Sequence, residues 1–541
     1  MITFLPKNIK YEPKPGETVL QAASSAGVDI NGSCMGTGVC GKCKVRITKV
    51  KDTSNSETRE YLACQTLAED HMIIEVSESE TICERKKKLI NLPSWFEPEL
   101  VAPDDEVGDV YGAAVDVGTT TLVVLIWNLS KGELVDVYGR VNPQSAYGAD
   151  VISRITFVRD NEAKLKKMQQ LLIGAINEGV GKICKGHEIN EEALKKYVVA
   201  CNTTMSHLFL GINPEALAVA PFEPTFTDAR EIKISEIGLW GNSDAQVYLA
   251  ANIAGHVGSD ITAGIITTDI ITPDITMPAK AHLFIDIGTN GEIVLGGKGQ
   301  ILACSTAAGP AFEGSSITQG MRAGEGAIER VNISYDEVEI ETIGGATPVG
   351  ICGSGIIDAV GELVRMGIVD QTGKILSAEE LRDKDLVGNT FSENVLKHLI
   401  SHHGINDFLL YDGDFRHEPV ILTQKDIREI QLAKAAISAG INVMMKELGL
   451  DPSDLDEISV AGAFGNYIRI ESAVDMGLLP DIPKEKIHSI GNSAGAGASM
   501  MLLSPTWAQR SEATAKQIKH IELASQPGFQ EEYMNAMTLG R

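Results

Sequence analysis

The sequence predicts a multidomain α/β protein in which a small cysteine-rich domain precedes a larger body made of two similar halves. The chain has 541 residues, far more than one hydrophobic core usually serves. Four of its nine cysteines fall between Cys34 and Cys64. A pattern of strand, Asp-x-Gly-Thr and second strand occurs at Asp116 and again at Asp286. Such a repeat indicates a duplicated domain.

The composition excludes several classes of function. Apolar residues make up 43% and charged residues 22% of the chain, as in ordinary folded proteins. The formal net charge of −26 argues against a nucleic-acid partner, which needs a basic face, and against anionic membrane surfaces. No apolar run reaches the roughly 18 residues of a membrane helix, and the N-terminus has no apolar signal core. We therefore expect a cytoplasmic protein with no nucleic-acid and no membrane partner.

The cysteine cluster has the spacing of a metal centre. It reads Cys34-x5-Cys40-x2-Cys43-x20-Cys64, with the first three cysteines in a glycine-rich loop. Glycines permit positive φ values and let the backbone wrap closely around a compact cluster. In a reducing compartment, clustered cysteines are more often metal ligands than disulfides. A structural zinc site usually has two Cys-x2-Cys pairs, and only one occurs here, so zinc is the weaker alternative.

Residues 1–85 resemble the plant-type [2Fe–2S] ferredoxin domain, whose spacing is Cys-x4-Cys-x2-Cys followed by a later cysteine. The present loop is one residue longer. The resemblance implies a β-grasp fold of short strands with one helix. It also implies a [2Fe–2S] cluster held by Cys34, Cys40, Cys43 and Cys64. The other five cysteines are scattered singly, and we expect ordinary buried side chains there.

A change in composition separates this domain from the body. Residues 86–110 contain a basic run, three prolines and an acidic run, without clear periodicity. We predict a linker that tethers the cysteine-rich domain at variable positions.

Two phosphate-binding turns are predicted in the body. Each apolar strand ends in Asp-x-Gly-Thr and leads directly into a second strand, at 111–135 and at 281–302. Backbone amides and hydroxyls in such turns donate to phosphate oxygens, and the aspartate suits Mg²⁺ or its waters. The candidate binding residues are Gly118, Thr119 and Thr120, and Gly288, Thr289 and Asn290. The alternative is a pair of ordinary β-hairpins whose polar side chains satisfy turn backbone.

Further glycine-rich segments follow in the second half. Gly353, Ser354 and Gly355 precede an amphipathic helix, whose first amides suit a phosphate or ribose. The segment 458–468 predicts a buried strand ending in a Gly-Ala-Phe-Gly turn, and Ser489–Ser499 predicts a second strand of this kind. Between these segments lies a long helix with Thr423 as its candidate N-cap.

Together these motifs resemble the nucleotide-binding fold of actin, Hsp70 chaperones and sugar kinases. The turns after Asp116 and Asp286 are similar to its two phosphate motifs. The candidate adenosine motif comprises Gly462, Ala463, Phe464 and Gly465. The resemblance implies two ATPase lobes, residues 111–280 and 281–541, that close on Mg–ATP.

The whole chain resembles the ATP-dependent reductive activators of corrinoid proteins. Stretches such as 142–155 (NPQSAYGADVISRI) and 201–211 (CNTTMSHLFLG) are part of that resemblance. It implies one-electron reduction of Co(II) to Co(I) on a corrinoid protein of a methyltransferase system, coupled to ATP. It also implies a low-potential electron donor and pairing as a homodimer. The usual cobalamin signature is absent from this sequence, so we expect the cobalt on the partner.

Candidate catalytic residues are Asp116, Asp286 and Glu313, the last to position the attacking water. Glu292 is the alternative for that role, and Asn202, Thr203 and Thr204 are candidates to line the same cleft. Two other functions stay open. One is an ATP-coupled electron donor to another low-potential enzyme, and the other is a small-molecule kinase with an appended ferredoxin domain.

Overall fold

A computed structural model describes residues 1–6, 8–28, 30, 43–49, 57–76, 90–271, 278, 280–383, 390–415, 417–462 and 468–540. By its internal contacts the chain forms two compact units. The first comprises Met1–Thr267 with Ser493–Gln517, and the second Thr268–Asn492 with Ile518–Arg541. In the part of the chain that the structure describes, no helix is both long and apolar enough to cross a membrane.

The strands and helices are numbered here in chain order. The strands are β1 (Ile2–Leu5), β2 (Ile9–Tyr11), β3 (Lys44–Lys49), β4 (Glu57–Leu62), β5 (Met72–Glu75), β6 (Tyr111–Val117), β7 (Thr121–Asn128), β8 (Glu133–Val141), β9 (Leu194–Cys201), β10 (Arg230–Lys233), β11 (Gln246–Leu249), β12 (Ala281–Ile287), β13 (Gly291–Gly297), β14 (Gln300–Thr306), β15 (Ala327–Ile333), β16 (Val338–Thr342), β17 (Gly350–Ile351), β18 (Leu399–His402), β19 (Ile405–Tyr411), β20 (Val420–Leu422), β21 (Leu455–Ala461), β22 (Ile487–Gly491) and β23 (Lys519–His520). The helices are α1 (Val19–Ser25), α2 (Val151–Val158), α3 (Glu162–Gly186), α4 (Thr203–Leu210), α5 (Ile234–Ile237), α6 (Ser259–Ile265), α7 (Gly353–Arg365), α8 (Ala378–Asp383), α9 (Glu393–Leu396), α10 (Gln424–Leu448), α11 (Ile470–Asp475), α12 (Ser493–Leu503), α13 (Pro505–Gln517) and α14 (Phe529–Asn535).

The N-terminal domain is a five-stranded sheet with one helix. Its strand order is β2-β1-β5-β3-β4, with β1 and β5 parallel and the other pairs antiparallel. Alternate residues of β1 and β5 are buried, as expected of strands with one face on a core. Helix α1 starts at a capping box, in which Thr18 accepts from the amide of Gln21. This arrangement confirms the predicted ferredoxin-like fold class.

The first unit also contains a six-stranded sheet in the order β10-β11-β9-β6-β7-β8. Strands β6, β7 and β8 form an antiparallel meander, and β9 lies parallel to β6. The long helix α3 packs on this sheet through apolar residues at helical spacing. The core therefore lies between the sheet and its helices.

The second unit repeats this design in its own six-stranded sheet, of order β22-β21-β12-β13-β14-β23. Strands β12, β13 and β14 form the antiparallel meander, and β21 lies parallel to β12. The predicted duplication is thus confirmed for five strands of each sheet, β11-β9-β6-β7-β8 and β22-β21-β12-β13-β14, while the edge strands β10 and β23 have no counterpart among the described strands. Two three-stranded sheets are added, β16-β15-β17 and β18-β19-β20. Helix α10 begins where predicted, with Thr423 accepting from the amide of Asp426.

The segment Ser489–Ser499 differs from its prediction as a strand ending in a glycine turn. The strand ends at Gly491, and helix α12 starts at Ser493 with every residue buried. A Cβ added at Gly497 would lie 1.9 Å from the carbonyl oxygen of Ala263. The small residues therefore serve a close contact between helices rather than a turn.

The described part of the region predicted as a linker, residues 90–110, is attached to the first unit. The amide of Glu99 donates to the carbonyl of Leu503, and that of Val101 to Leu129. Asp104 pairs with Lys195. The predicted variable tether therefore does not hold for residues 99–104. The assignment of Ser493–Gln517 to the first unit also differs from the predicted second lobe, because α12 packs on α6 and β6.

Candidate nucleotide and cluster sites

The two Asp-x-Gly-Thr turns have the same place in their sheets. Asp116 and Asp286 are the penultimate residues of β6 and β12, and both are half-buried. Three residues connect each strand to the next, at 118–120 and at 288–290. The amide of Gly118 donates to the carbonyl of Thr121 over 2.8 Å, and the amide of Gly288 to Asn290 over 3.0 Å. Tight turns of this kind can present amides and hydroxyls to an anion.

The first turn is contacted by a predicted candidate and by two residues that the sequence did not single out. Asn202 Nδ2 donates to Thr119 Oγ1 over 2.9 Å. The side chains of Asn142 and Arg154 donate to carbonyl oxygens of the turn. Thr203 instead donates to the carbonyl of Ala254, away from the turn. The signal available for Arg154 was its helical spacing from buried apolar residues of α2.

The second turn is surrounded by acidic groups. Thr289 Oγ1 donates to Glu313 Oε1 over 2.6 Å, so the structure brings together two predicted residues that are 24 positions apart. Glu292 is the register partner of Asp286 across β12 and β13. Residues directly opposite in an antiparallel pair project from the same face of the sheet. This face therefore carries two carboxylates, which is the ligand type that Mg²⁺ prefers.

Gly462 of the predicted adenosine motif lies beside the second turn. A Cβ added there would lie 2.4 Å from the carbonyl oxygen of Ile287 and 2.9 Å from Oδ1 of Asp286. Its φ of +105° also favours glycine. The following candidates, Ala463, Phe464 and Gly465, lie outside the described residues.

The predicted segment before the amphipathic helix forms the first turn of α7. Gly353, Ser354 and Gly355 are buried, and the N-cap residue Cys352 makes no side-chain cap hydrogen bond. A Cβ added at Gly355 would lie 2.2 Å from the carbonyl oxygen of Ile328. The structure thus gives Gly355 a packing role, and nucleotide contact by these three residues stays a prediction.

The described part of the cysteine cluster consists of Cys43 and Cys64. Cys43 immediately precedes β3 and Cys64 lies two residues after β4, so the pairing of these strands places them side by side. The amide of Cys64 donates to Cys43 Sγ over 3.5 Å, and the two residues are 1% and 5% exposed. Cys34 and Cys40 lie outside the described residues. Neighbouring buried thiols with an amide directed at sulfur fit the needs of an iron–sulfur cluster.

The scattered cysteines are different. Cys184, Cys201, Cys304 and Cys352 are all buried, as predicted, whereas Cys83 lies outside the described residues. Burial raises the pKa of Cys184 to about 11 and that of Cys201 to about 12. Such thiols stay protonated at neutral pH and are poor metal ligands.

Comparison with known families agrees with each part of this architecture. Residues 2–69 match the 2Fe-2S iron-sulfur cluster binding domain. Residues 111–272 match the RACo middle region, and residues 280–541 match the C-terminal domain of RACo, the ASKHA domain. The fold and these matches define an iron–sulfur enzyme with an ASKHA-type ATPase body.

The chain belongs to the family of reductive activators of corrinoid proteins. It is 32% identical to the corrinoid activation enzyme RamQ of Eubacterium limosum, over 95% of each chain. It is 25% identical to the Co(II) methylated amine-specific corrinoid protein reductase of Methanosarcina barkeri, over 79% of this chain and 76% of that one. A solved structure of a reductive activator for a corrinoid, iron-sulfur protein is 31% identical, with a TM-score of 0.69, over 99% of this chain and 98% of that one.

Proposed function

We propose that this enzyme reduces the cobalt of a corrinoid protein from Co(II) to Co(I) in a one-electron step, and couples that step to the binding and hydrolysis of ATP. The product supports corrinoid-dependent methyl transfer. One observation carries the proposal: a single chain combines a ferredoxin-like pair of buried cysteines with two Asp-x-Gly-Thr turns that have the same place in their sheets. The names of its relatives support the choice of a corrinoid protein as substrate.

The nucleotide chemistry is assigned to the two turns. In each turn, backbone amides donate to phosphate oxygens, and in the first turn the hydroxyls of Thr119 and Thr120 do so as well. Asp116 and Asp286 hold Mg²⁺ directly or through water. Glu313 positions the attacking water, and its hydrogen bond from Thr289 fixes its carboxylate next to the second turn. Gly462 fits beside Asp286 because it has no side chain: a Cβ there would lie 2.9 Å from Oδ1 of Asp286.

The electron-transfer chemistry is assigned to the N-terminal domain. A [2Fe–2S] cluster, when bound, supplies one-electron transfer at low potential. Cys43 and Cys64 would hold it together with Cys34 and Cys40, and the amide of Cys64 would stabilise the negative sulfur of Cys43. The partner's cobalt gains one electron, the chain loses one, and a low-potential donor restores it. That donor and the pairing of two copies stay predictions from the resemblance.

ATP drives an unfavourable reduction only through differences in binding. A nucleotide shifts an equilibrium by no more than its differential affinity for the two states. The ATP-bound and product-bound forms must therefore differ in their affinity for the Co(II) protein or in what they do to the cobalt's surroundings. By linkage, the Co(II) protein must then alter the affinity for nucleotide by the same factor.

The test uses anaerobic, pre-reduced protein mixed with a Co(II) corrinoid protein, followed by the cobalt absorption spectrum. Co(I) should appear with Mg–ATP and not without it. In a matched pair of variants, Cys64→Ala should abolish cobalt reduction while nucleotide binding persists, and Cys184→Ala should behave as wild type, because only the first removes a ligand thiol. Equal rates and extents of reduction without nucleotide would refute the proposal.

A further inference from the structure

The segment Asn142–Ile155 has no role in the chemistry assigned above, yet it contacts both functional parts of the first unit. It follows β8, forms a short 3-10 helix at Pro143–Ala146 and continues into α2. We call residues 142–155 the bridging segment. It contacts the first turn and the N-terminal domain, and all the residues involved are described and belong to one compact unit.

The bridging segment binds every carbonyl oxygen of the first turn. The backbone amide of Asn142 donates to the carbonyl of Thr120 over 2.9 Å. Its side-chain Nδ2 donates to the carbonyl of Gly118 over 2.9 Å. The guanidinium of Arg154 donates to the carbonyl of Thr119. The turn is therefore held through its oxygens, while its amides are the groups proposed to bind phosphate.

Arg154 is a buried cation whose fixed position depends on these oxygens. Its side chain is 0% exposed, and its other contacts include the carbonyl of Gly148 at 2.9 Å and Gln144 Oε1 at 3.3 Å. Gln144 is itself buried and donates to the carbonyl of Met168 at 3.0 Å, in α3. A buried charge requires well-placed partners, so a movement of the Thr119 carbonyl must be accompanied by a rearrangement of this network.

At its other end the bridging segment forms a seat for the N-terminal domain. Ser24 Oγ, in α1, donates to the carbonyl of Pro143 over 2.9 Å. Ala146 packs against the core of the N-terminal domain and also against the core of the six-stranded sheet. The segment that braces the turn is thus also the surface on which α1 rests.

Helix α1 is in turn bonded to the segment that carries a cluster ligand. The amide of Leu20 donates to the carbonyl of Ala63 over 3.0 Å, and the amide of Val19 donates to Thr66 over 2.8 Å. These acceptors flank Cys64. Hydrogen bonds and packing therefore connect the first turn to the segment around Cys64, through Pro143–Ala146 and α1.

We infer that the bridging segment is a positioning element that makes the seating of the N-terminal domain depend on the nucleotide at the first turn. The inference rests on the proposed function and adds a route for its coupling. Phosphate binding to the amides of the turn reorients peptide groups whose oxygens are bound by Asn142 and Arg154. Their displacement alters the Pro143–Ala146 seat. The domain that carries the electron is then held or released according to nucleotide state, and this coupling must be reciprocal.

Amide hydrogen exchange of the full cluster-loaded chain tests this inference, with and without Mg²⁺ and the β,γ-imido analogue of ATP. In the wild type, the analogue should change exchange in the first turn and, by about fivefold or more, in α1 and residues 143–147. Ala146→Glu places a charge in the seat and should remove the response of α1 while the turn still responds. Ala216→Glu, the same change at an exposed position of another 3-10 helix in this unit, should respond as wild type.

Ser24→Ala deletes one hydrogen bond only and should weaken the α1 response without disturbing the fold. A wild-type turn that responds to the analogue while α1 and residues 143–147 do not would overturn the inference and leave the proposed function intact. Equal responses of Ala146→Glu and Ala216→Glu would also overturn it. A turn that does not respond to nucleotide at all would refute the nucleotide assignment, and the inference with it.

Discussion

The two Asp-x-Gly-Thr turns have the same place in their sheets and differ in what surrounds them. In the first turn, a Cβ at Gly118 would lie 2.9 Å from the carbonyl oxygen of Thr121, so only glycine fits. At Gly288 the nearest atom would be 3.6 Å away, which is ordinary contact. The second turn therefore has space for a Cβ at its glycine, and the first turn does not. Carbonyl oxygens of the first turn accept hydrogen bonds from the side chains of Asn142 and Arg154.

The residues that lie opposite the two aspartates also differ. Asp116 stands opposite the apolar Val123 on β7, whereas Asp286 stands opposite Glu292 on β13. The second turn also has Glu313 within hydrogen-bonding distance of Thr289. The duplication has therefore kept the place of the two turns in their sheets, while carboxylates lie beside the second turn and the hydrogen bonds from Asn142 and Arg154 hold the first.

The largest effect is expected from removing either aspartate charge. Asp116→Asn and Asp286→Asn should each lower ATP hydrolysis by about 10²-fold or more, because each loses a carboxylate proposed to hold Mg²⁺. Phosphate release by the purified variants gives the rates. If one variant retains more than about a tenth of the wild-type rate, the two turns do not share the metal-binding role.

The second prediction decides between the two glutamates near the second turn. Glu313→Gln should lower hydrolysis by about 10²-fold with nucleotide affinity unchanged, since the amide can accept the Thr289 hydrogen bond but cannot take a proton. Glu292→Gln should have a smaller effect on the rate. Phosphate release and nucleotide titration measure the two quantities. The reverse order of effects would transfer the water-positioning role to Glu292.

The third prediction concerns the bracing of the first turn. Arg154→Ala should lower the free energy of unfolding of the first unit by about 3 kcal/mol, because it leaves buried carbonyl oxygens without a donor. The control is Arg159→Ala, one turn further along, whose 2.7 Å pair with Glu215 is exposed. It should cost about 1 kcal/mol or less. Urea unfolding measures both values, and similar losses would contradict the bracing role.

The smallest expected effect is a pH dependence present in one sheet only. His282 occupies the place in β12 that Gly112 occupies in β6, four residues before the aspartate. Its Nε2 lies 2.9 Å from Ser459 Oγ. Burial, and then the charge of His488, lowers the pKa of His282 to about 4, while Asp456 acts in the opposite direction. Glu457 is a further titratable neighbour, with its Oε1 at 3.9 Å from Nε2 of His282.

The sign follows from the lowered pKa. Between pH 6.5 and 4 the unfolded chain binds a proton that the folded chain does not, so stability is full above pH 6.5 and falls as the pH falls. The second unit should lose about 2 kcal/mol between pH 7 and 5 from this residue. Urea unfolding at pH 7, 6 and 5 should show a flatter profile for His282→Gln. The exposed-site control His402→Gln should keep the wild-type slope, and an unchanged slope in His282→Gln would contradict the assignment.

Local sequence patterns predict the structural features that depend only on residues close together in the chain. The N-cap at Thr423 and the strand pairs around Asp116 and Asp286 follow from spacing and periodicity. The β-grasp fold of the N-terminal domain is what the ferredoxin resemblance implies. Helical spacing places Arg154 beside the buried residues of α2, but this signal is outweighed because charged residues are usually exposed and the partners of Arg154 come from a distant turn. The glycines of α12 predict a turn from local sequence alone, because the contact of Gly497 with Ala263 arises only from the packing of two helices.

The central claim is that ATP hydrolysis and cobalt reduction are one coupled process. The most direct measurement is a rapid-mixing experiment with pre-reduced enzyme, Mg–ATP and a Co(II) corrinoid protein, in which phosphate release and the Co(I) spectrum are recorded on the same samples. The account predicts that both signals rise together in the wild type and that Asp286→Asn suppresses both. Full-rate formation of Co(I) by Asp286→Asn, without phosphate release, would contradict it.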